Sequence, residues 1–216
     1  MPPKSPKRAR RTTQPGKVGR QTNLERRPSG SREERLSFLL VCEGKTEKGY
    51  FTGMRTWRGP QLAVDAPQRD HRGLVREAGA RRSDEYDEVW CVLDTELDDQ
   101  LVQDLIQESR RLEVNLALTS PSFEFWLILH TRGYSRPFQS AREAERELKA
   151  IRPGWSKATT KFEDFEDGLD DACDRARKLH NGDGSPPNPS SAVWRLVEAI
   201  RRGGEQDGGH GYSPRE

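Results

Sequence analysis

The sequence has few cysteines and few apolar residues, and these shortages exclude several classes of protein. Its cysteines, Cys42, Cys91 and Cys173, are widely spaced and form no C-x-x-C pair, so we expect neither a disulfide framework nor a zinc site. Only 31% of the residues are hydrophobic, and no run approaches the roughly 18 apolar residues of a membrane-spanning helix. Because the start of the chain also lacks the apolar segment of a signal peptide, we expect a reduced, cytoplasmic protein with no membrane partner.

Three phosphate-binding or nucleophile motifs are also missing. The sequence contains no G-x-x-x-x-G-K-[ST] loop, no G-x-G-x-x-G fingerprint and no G-x-S-x-G elbow. The first absence excludes a P-loop NTPase, and the other two remove the usual signals of a dinucleotide-binding enzyme and an α/β-hydrolase. Acidic and basic residues are therefore the main chemical signal.

Positive charge is concentrated in residues 1–35, which carry a net charge of +8 against −6 for the rest of the chain. This segment has almost no large apolar side chain, so we predict a disordered arm. A basic arm on an acidic body favours a nucleic-acid partner, with Arg8, Arg10 and Arg11 contacting phosphates. The alternative is a solvated tail that only aids solubility.

From residue 36 onward, short apolar runs alternate with helical patterns. This alternation predicts an α/β fold with a four-stranded parallel sheet flanked by helices. The predicted strands cover residues 38–42, 62–65, 89–93 and 114–118, and the intervening helices cover residues 46–57, 71–82 and about 101–112. Thr46 is a plausible cap of the first helix, and Asp98 and Asp99 suit the cap and first turn of the third.

The remainder of the chain is predicted to be helical. Ser120-Pro121 opens an apolar helix over residues 123–129 that contains Trp126, and Ser140 with Glu143 forms a capping box for a helix over 141–151. Further helices are predicted over residues 164–179 and 193–201. We therefore divide the folded part, residues 36–202, into a core (36–130) and a helical portion (131–202), followed by a disordered tail (203–216).

The acids that end the first and third strands form the strongest candidate site. Glu43 follows strand one, and Asp94 and Glu96 follow strand three. Open α/β sheets bind ligands at the carboxyl ends of their strands. In an extended segment Asp94 and Glu96 point the same way, so both can face one divalent cation. Alternatively, Glu43 only caps the helix that follows it, and Glu47 is only a favourable helix-start residue.

Glu124 lies between two phenylalanines in the apolar helix, and a buried carboxylate needs a cation or several donors. His130 ends this helix, where a histidine is often only a favourable partner of the helix dipole. Lys157 and Lys161 can reach phosphate oxygens as point charges, with a solvated loop as the alternative.

Several ordered motifs together resemble the RloB-like family over residues 36–201. They are Glu43-Gly44-x-Thr46-Glu47-x-x-Tyr50-Phe51, Val92-Leu93-Asp94-x-Glu96, Ser120-Pro-Ser122-Phe123-Glu124-x-Trp126-Leu127-x-Leu129-His130 and Asn188-Pro189-Ser190. Members of that family are encoded beside bacterial restriction systems and are thought to contain a Toprim-type core. In such a core a glutamate after strand one and a D-x-D after strand three bind Mg²⁺ for phosphodiester chemistry.

The resemblance implies that Glu43, Asp94 and Glu96 are catalytic ligands of Mg²⁺ or Mn²⁺, with Glu124 and Lys161 as further catalytic residues. Glu96 replaces the second aspartate of the D-x-D and is one methylene longer. The implied function is a metal-dependent nuclease acting on DNA or RNA, tRNA among them, in anti-phage defence, with a partner ATPase or restriction-system subunit. Two alternatives stay open: a non-catalytic nucleic-acid-binding subunit, and a hydrolase of a small phosphate ester or nucleotide.

Overall fold

A single mixed sheet organises the protein in this computed structural model, which describes residues 35–55, 59–180, 182 and 184–205. Its strands are β1 (Ser37–Cys42), β2 (Gln61–Asp65), β3 (Glu88–Asp94), β4 (Asn115–Ser120) and β5 (Ser190–Ser191). They lie in the order β2-β1-β3-β4-β5. The first four strands run parallel, as the sequence predicts, and β5 pairs antiparallel with β4.

The fifth strand corrects the predicted four-stranded sheet. Ser190 and Ser191, predicted only to introduce the last helix, pair with Ser120 and Thr119. The hydroxyl oxygens of Thr119 and Ser191 lie 2.9 Å apart. A strand of two serines has no apolar alternation, so nothing in its sequence marks it as a strand.

Seven α-helices flank the sheet within the described residues. They are α1 (Lys45–Gly53), α2 (His71–Ala80), α3 (Asp99–Leu112), α4 (Phe123–Leu129), α5 (Ala141–Ile151), α6 (Leu169–Leu179) and α7 (Val193–Glu205). Three short 3-10 helices precede α6, at Lys157–Thr159, Phe162–Asp164 and Glu166–Gly168. None of the helices in the described ranges is long and apolar enough to cross a membrane.

Two predicted helix starts are wrong. The first helix is capped by Gly44 rather than Thr46, and the backbone N–H of Gly44 donates to Oε2 of Glu47 (3.0 Å). The apolar helix α4 is capped by Ser122 rather than Ser120, because Ser120 is still paired within the sheet. By contrast, Asp98 caps α3 as predicted, accepting from the N–H of Leu101 (2.9 Å).

Three predicted boundaries also move. The first helix ends at Gly53, short of residue 57. Helix α6 begins at Leu169 instead of residue 164, because the backbone at Phe165 leaves the helical region (φ −126°). Helix α7 continues to Glu205, into the predicted tail, where Gly203 is buried close to Phe38 and Pro60. The rest of the predicted tail and the predicted arm up to residue 34 lie outside the described residues.

Alternate residues of the strands pack on opposite faces of the sheet. Leu39 and Val41 of β1 face a layer formed by α2 and α3. Phe38 and Leu40 face the larger layer of α1 and α4 to α7. Trp126 of α4 is fully buried in that larger layer, as the apolar character of this helix indicates. The three cysteines are buried and free, as expected.

Candidate metal centre

Two of the predicted acids meet where β1 and β3 end. The register pairs Cys42 with Val92, so Glu43 lies beside the end of β3. Its backbone N–H donates to the carbonyl oxygen of Val92 (3.1 Å), and its Oε2 accepts from the backbone N–H of Asp94 (2.9 Å). The two strand ends are therefore joined by a side chain of the candidate site.

Asp94 also contacts the start of α4. Its Oδ1 accepts from the backbone N–H of Phe123 (2.8 Å), so it satisfies one of the free amides at the helix start. No hydroxyl of Ser122 or Ser120 serves that purpose: the Ser122 hydroxyl donates to Oε2 of Glu124 instead (2.6 Å). Asp94 consequently couples the sheet edge to the helix that carries Glu124.

The backbone conformation that brings Glu96 to the site is not apparent from the sequence. The strand stops at Asp94, and Glu96 and Leu97 both adopt left-handed backbone conformations (φ 49° and 61°), so the predicted extended segment is wrong. The backbone N–H of Glu96 donates to the carbonyl oxygen of Pro121 (3.2 Å), which helps to hold this turn. Left-handed conformations cost free energy in residues other than glycine and are concentrated at functional sites.

Glu43 and Glu96 lie beside His71, a residue that no sequence motif marked as part of the site. One ligand atom from each of the three side chains lies within 4.8 Å of the other two. Nε2 of His71 is 3.1 Å from Oε2 of Glu43, and the two side chains form an ion pair when the imidazole is protonated. The pairing with Glu43 raises the pKa of His71, against partial burial, which lowers it. Its position as the first residue of the helix after β2, next to β1, is the signal that could have revealed it.

A second group of carboxyls interacts electrostatically with Glu43. Burial, followed by the charges of Glu43 and Glu124, raises the pKa of Glu47 to about 7. Burial and the charges of Glu43, Glu47 and Glu124 likewise raise the pKa of Asp94 well above its usual range. The charges of Glu43 and Glu124 thus disfavour the ionised forms of Glu47 and Asp94, so Glu47 interacts with the candidate site as well as starting the helix.

Lys157 supplies the positive charge of this group. Its Nζ lies 2.8 Å from Oε1 of Glu124 and 3.5 Å from Oε2 of Glu145 on α5. Glu124 is buried, so the ammonium and the Ser122 hydroxyl provide the cation and the donor that a carboxylate in the core needs. Partial burial lowers the pKa of Lys157, but the hydrogen bond with Glu124 and the charges of Glu124, Glu145 and Asp94 together outweigh it, and the net shift is upward.

The segment that carries Lys157 lies directly on α1. A Cβ atom at Gly49 would come within 2.4 Å of the carbonyl oxygen of Thr160. Glycine at this position therefore allows the close approach that brings Lys157 over the carboxyls. Lys161, the other predicted lysine, is exposed, and its side chain makes no hydrogen bond or ion pair with any residue that the structure describes. Arg8, Arg10 and Arg11 lie outside the described residues.

His130 belongs to the core rather than to the site. Its Nδ1 lies 2.7 Å from the carbonyl oxygen of Phe165 and its Nε2 lies 3.1 Å from the Tyr50 hydroxyl. Burial lowers the pKa of His130 to about 4. The imidazole is therefore neutral at physiological pH and joins α1, α4 and the segment before α6.

The model of the RloB-like protein family matches residues 38–200. The chain belongs to the RloB-like family. The match begins in β1 and ends in α7, so it includes every acid of the two groups and Lys157. No curated protein and no solved structure matches the chain.

The donor atoms of this RloB-like chain fit a divalent cation. Ligands bound at about 2.1 Å lie about 3.0 to 4.2 Å from one another, and the ligand atoms of Glu43, His71 and Glu96, all within 4.8 Å of one another, are close to that range. When ionised, Asp94 and Glu47 are repelled by the charges of Glu43 and Glu124. A bound cation offsets the free-energy cost of this repulsion. Both observations favour a metal centre at this edge of the sheet.

Proposed function

We propose that this protein is a metal-dependent nuclease with a Toprim-type site, using Mg²⁺ or Mn²⁺ to hydrolyse phosphodiester bonds of DNA or RNA. The observation that carries the proposal is that Glu43, at the end of β1, accepts from the backbone of Asp94 at the end of the adjacent parallel strand β3 and lies within ligand distance of Glu96. Open α/β sheets bind ligands at that edge, and oxygen-rich donor sets suit these cations.

The chain's own groups supply complementary chemistry. When bound, the cation stabilises the negative charge on the transferring phosphoryl group. Lys157, more than half of whose side chain is exposed, is placed to contact a phosphate oxygen next to the carboxyls. Glu47, with a pKa of about 7, can take up or release a proton near neutral pH, which is the property required of a general base or acid.

The helix α5 supports nucleic acid as the substrate. Arg142 and Arg146 are one turn apart on its exposed face, and neither side chain has a partner among the described residues. Glu145 on the same helix contacts Lys157, so the helix that carries the two arginines borders the candidate site. Exposed arginines in such a position can bind the phosphate backbone on either side of the bond that is cleaved.

We extend the proposal to anti-phage defence in the cytoplasm, with a partner ATPase or restriction-system subunit. Membership of the RloB-like family supports this part. A second candidate function is a nucleic-acid-binding subunit that does not cleave. It is favoured by the hydrogen bond from Phe123 to Asp94, because a carboxylate that caps a helix has a structural reason to be present.

The experiment incubates the purified full chain with tRNA, single-stranded RNA, and single- and double-stranded DNA, each with Mg²⁺, Mn²⁺ or EDTA. We expect metal-dependent cleavage of at least one substrate that is abolished in Asp94→Asn. Binding without cleavage, alone and with the partner encoded beside it, favours the non-catalytic subunit. Release of phosphate from nucleotides or phosphate esters alone favours a small-molecule hydrolase.

A further inference from the structure

His71 begins α2 but does not cap it. It is the first residue of α2, and the cap of this helix is supplied by Asp70, whose Oδ1 accepts from the N–H of Gly73 (2.8 Å). The imidazole is therefore not needed to terminate the helix. Its side chain is 16% exposed and turns toward the end of β1.

The ring nitrogen that faces the acids is buried and forms an ion pair with one of them. Nε2 of His71 lies 3.1 Å from Oε2 of Glu43. A carboxylate oxygen and an imidazole nitrogen held this close can both serve as ligands of one cation. Glu96, held in its left-handed turn, brings a third donor to the same place.

We propose that His71 is a metal ligand and that Glu43, His71 and Glu96 form a site that prefers a first-row transition dication such as Mn²⁺ to Mg²⁺. Imidazole nitrogen is a common ligand of transition metals, whereas Mg²⁺ takes oxygen ligands and water. Two carboxylates and one imidazole are thus a mixed donor set that discriminates between the two ions. The inference deepens the proposed function by assigning the ligand and metal class of the same site.

The test is pulsed electron paramagnetic resonance of Mn²⁺ bound to the full chain. We expect hyperfine coupling to a directly bound imidazole nitrogen, with frequencies that change when the protein carries ¹⁵N-labelled histidine. In His71→Gln the coupling should disappear and Mn²⁺ affinity should fall at least ~10-fold. His180→Gln is the matched control, because His180 lines a different cavity, and it should retain both the coupling and the affinity.

Calorimetric titration with Mn²⁺ and Mg²⁺ tests the preference. The wild-type chain should bind Mn²⁺ more tightly, and His71→Glu, which replaces nitrogen with oxygen, should reduce the ratio of the two affinities at least ~10-fold. Bound Mn²⁺ without nitrogen coupling in the wild-type chain, or no Mn²⁺ binding at all, overturns the proposal. The labelling experiment uses only the wild-type chain, so it tests the imidazole ligand even where His71→Gln misfolds. If nitrogen coupling is observed but no nucleic acid is cleaved, the ligand role of His71 is supported and the proposed nuclease function is contradicted. If metal-dependent cleavage is observed without nitrogen coupling, the nuclease function is supported and the ligand role of His71 is contradicted.

Discussion

Nζ of Lys157 lies 2.8 Å from Oε1 of Glu124, so a buried carboxylate on α4 is neutralised by a side chain from the segment that crosses α1. This ion pair distinguishes between the two lysines that the sequence analysis proposed as phosphate ligands. Lys157 is in contact with the carboxyl group, whereas Lys161 contacts none of the acids in the described part of the chain.

Lys157→Ala should therefore lower the cleavage rate by roughly 10²-fold, the usual effect of removing a donor that stabilises transition-state charge. Lys161→Ala, the matched control, should change it by less than about 3-fold. Single-turnover rates at saturating metal provide the measurement. Equal losses in the two variants would mean that the contact between Lys157 and Glu124 has no catalytic consequence.

Glu47→Gln should stabilise the metal-free protein at alkaline pH. Because the folded state raises the pKa of Glu47 to about 7, its contribution to stability is greatest below the unfolded-state pKa and is lost as pH rises through the folded-state value. At pH 8 in EDTA the free energy of unfolding should be ~1–3 kcal/mol higher in the variant, and at pH 5 this gap should narrow. Urea unfolding of both proteins at both pH values measures this difference in the free energy of unfolding. A difference that is the same at pH 5 and pH 8 would contradict the raised pKa of Glu47.

Trp126→Ala should destabilise the domain by roughly 3–5 kcal/mol, the range for emptying an aromatic core position. Trp126 is fully buried between the sheet and the surrounding helices. Trp194→Ala, at a partly exposed position, is the control and should cost less. The denaturant midpoints of both variants provide the comparison. A near-wild-type midpoint for Trp126→Ala would show that α4 is not part of the stabilising core.

Replacing Arg142 and Arg146 by alanine should weaken nucleic-acid binding and reduce the slope of log affinity against log salt by about 2, one for each phosphate contact. Lys178→Ala with Arg202→Ala removes the same charge from α6 and α7, which contribute no residue to the acid cluster. That control should leave the slope nearly unchanged. Equal slopes in all three proteins would show that α5 does not bind the substrate.

Much of the fold follows from local sequence patterns. The buried runs of β1 to β4, the apolar helix around Trp126 and the aspartate cap at Asp98 are each determined by residues close together in sequence. The sequence also places Glu43 and Asp94 at the carboxyl ends of two strands, whereas their adjacency depends on the order of the strands in the sheet. These features were accessible because periodicity and capping act over a few residues.

The remainder depends on contacts between distant segments. His71 joins the site only because β2 lies next to β1. Lys157 joins it because Gly49 admits the later segment onto α1. Glu96 and Leu97 form a left-handed turn, a conformation that these residue types rarely adopt. The turn therefore could not be predicted from their identity.

The central claim is that Glu43 and Asp94 act together at one metal-dependent catalytic site. The most direct measurement is the single-turnover cleavage rate of Glu43→Gln, Asp94→Asn and the double variant, with the thermal midpoint of each recorded with and without metal. Both single variants should lose cleavage and the stabilisation by metal while keeping the metal-free fold, since each amide retains the acceptor oxygen that the backbone N–H requires. The double variant should be no worse than either single variant, because all three disable one site. A variant that still cleaves, or that is unfolded under conditions in which the wild-type chain is folded, would instead show that these acids are structural caps.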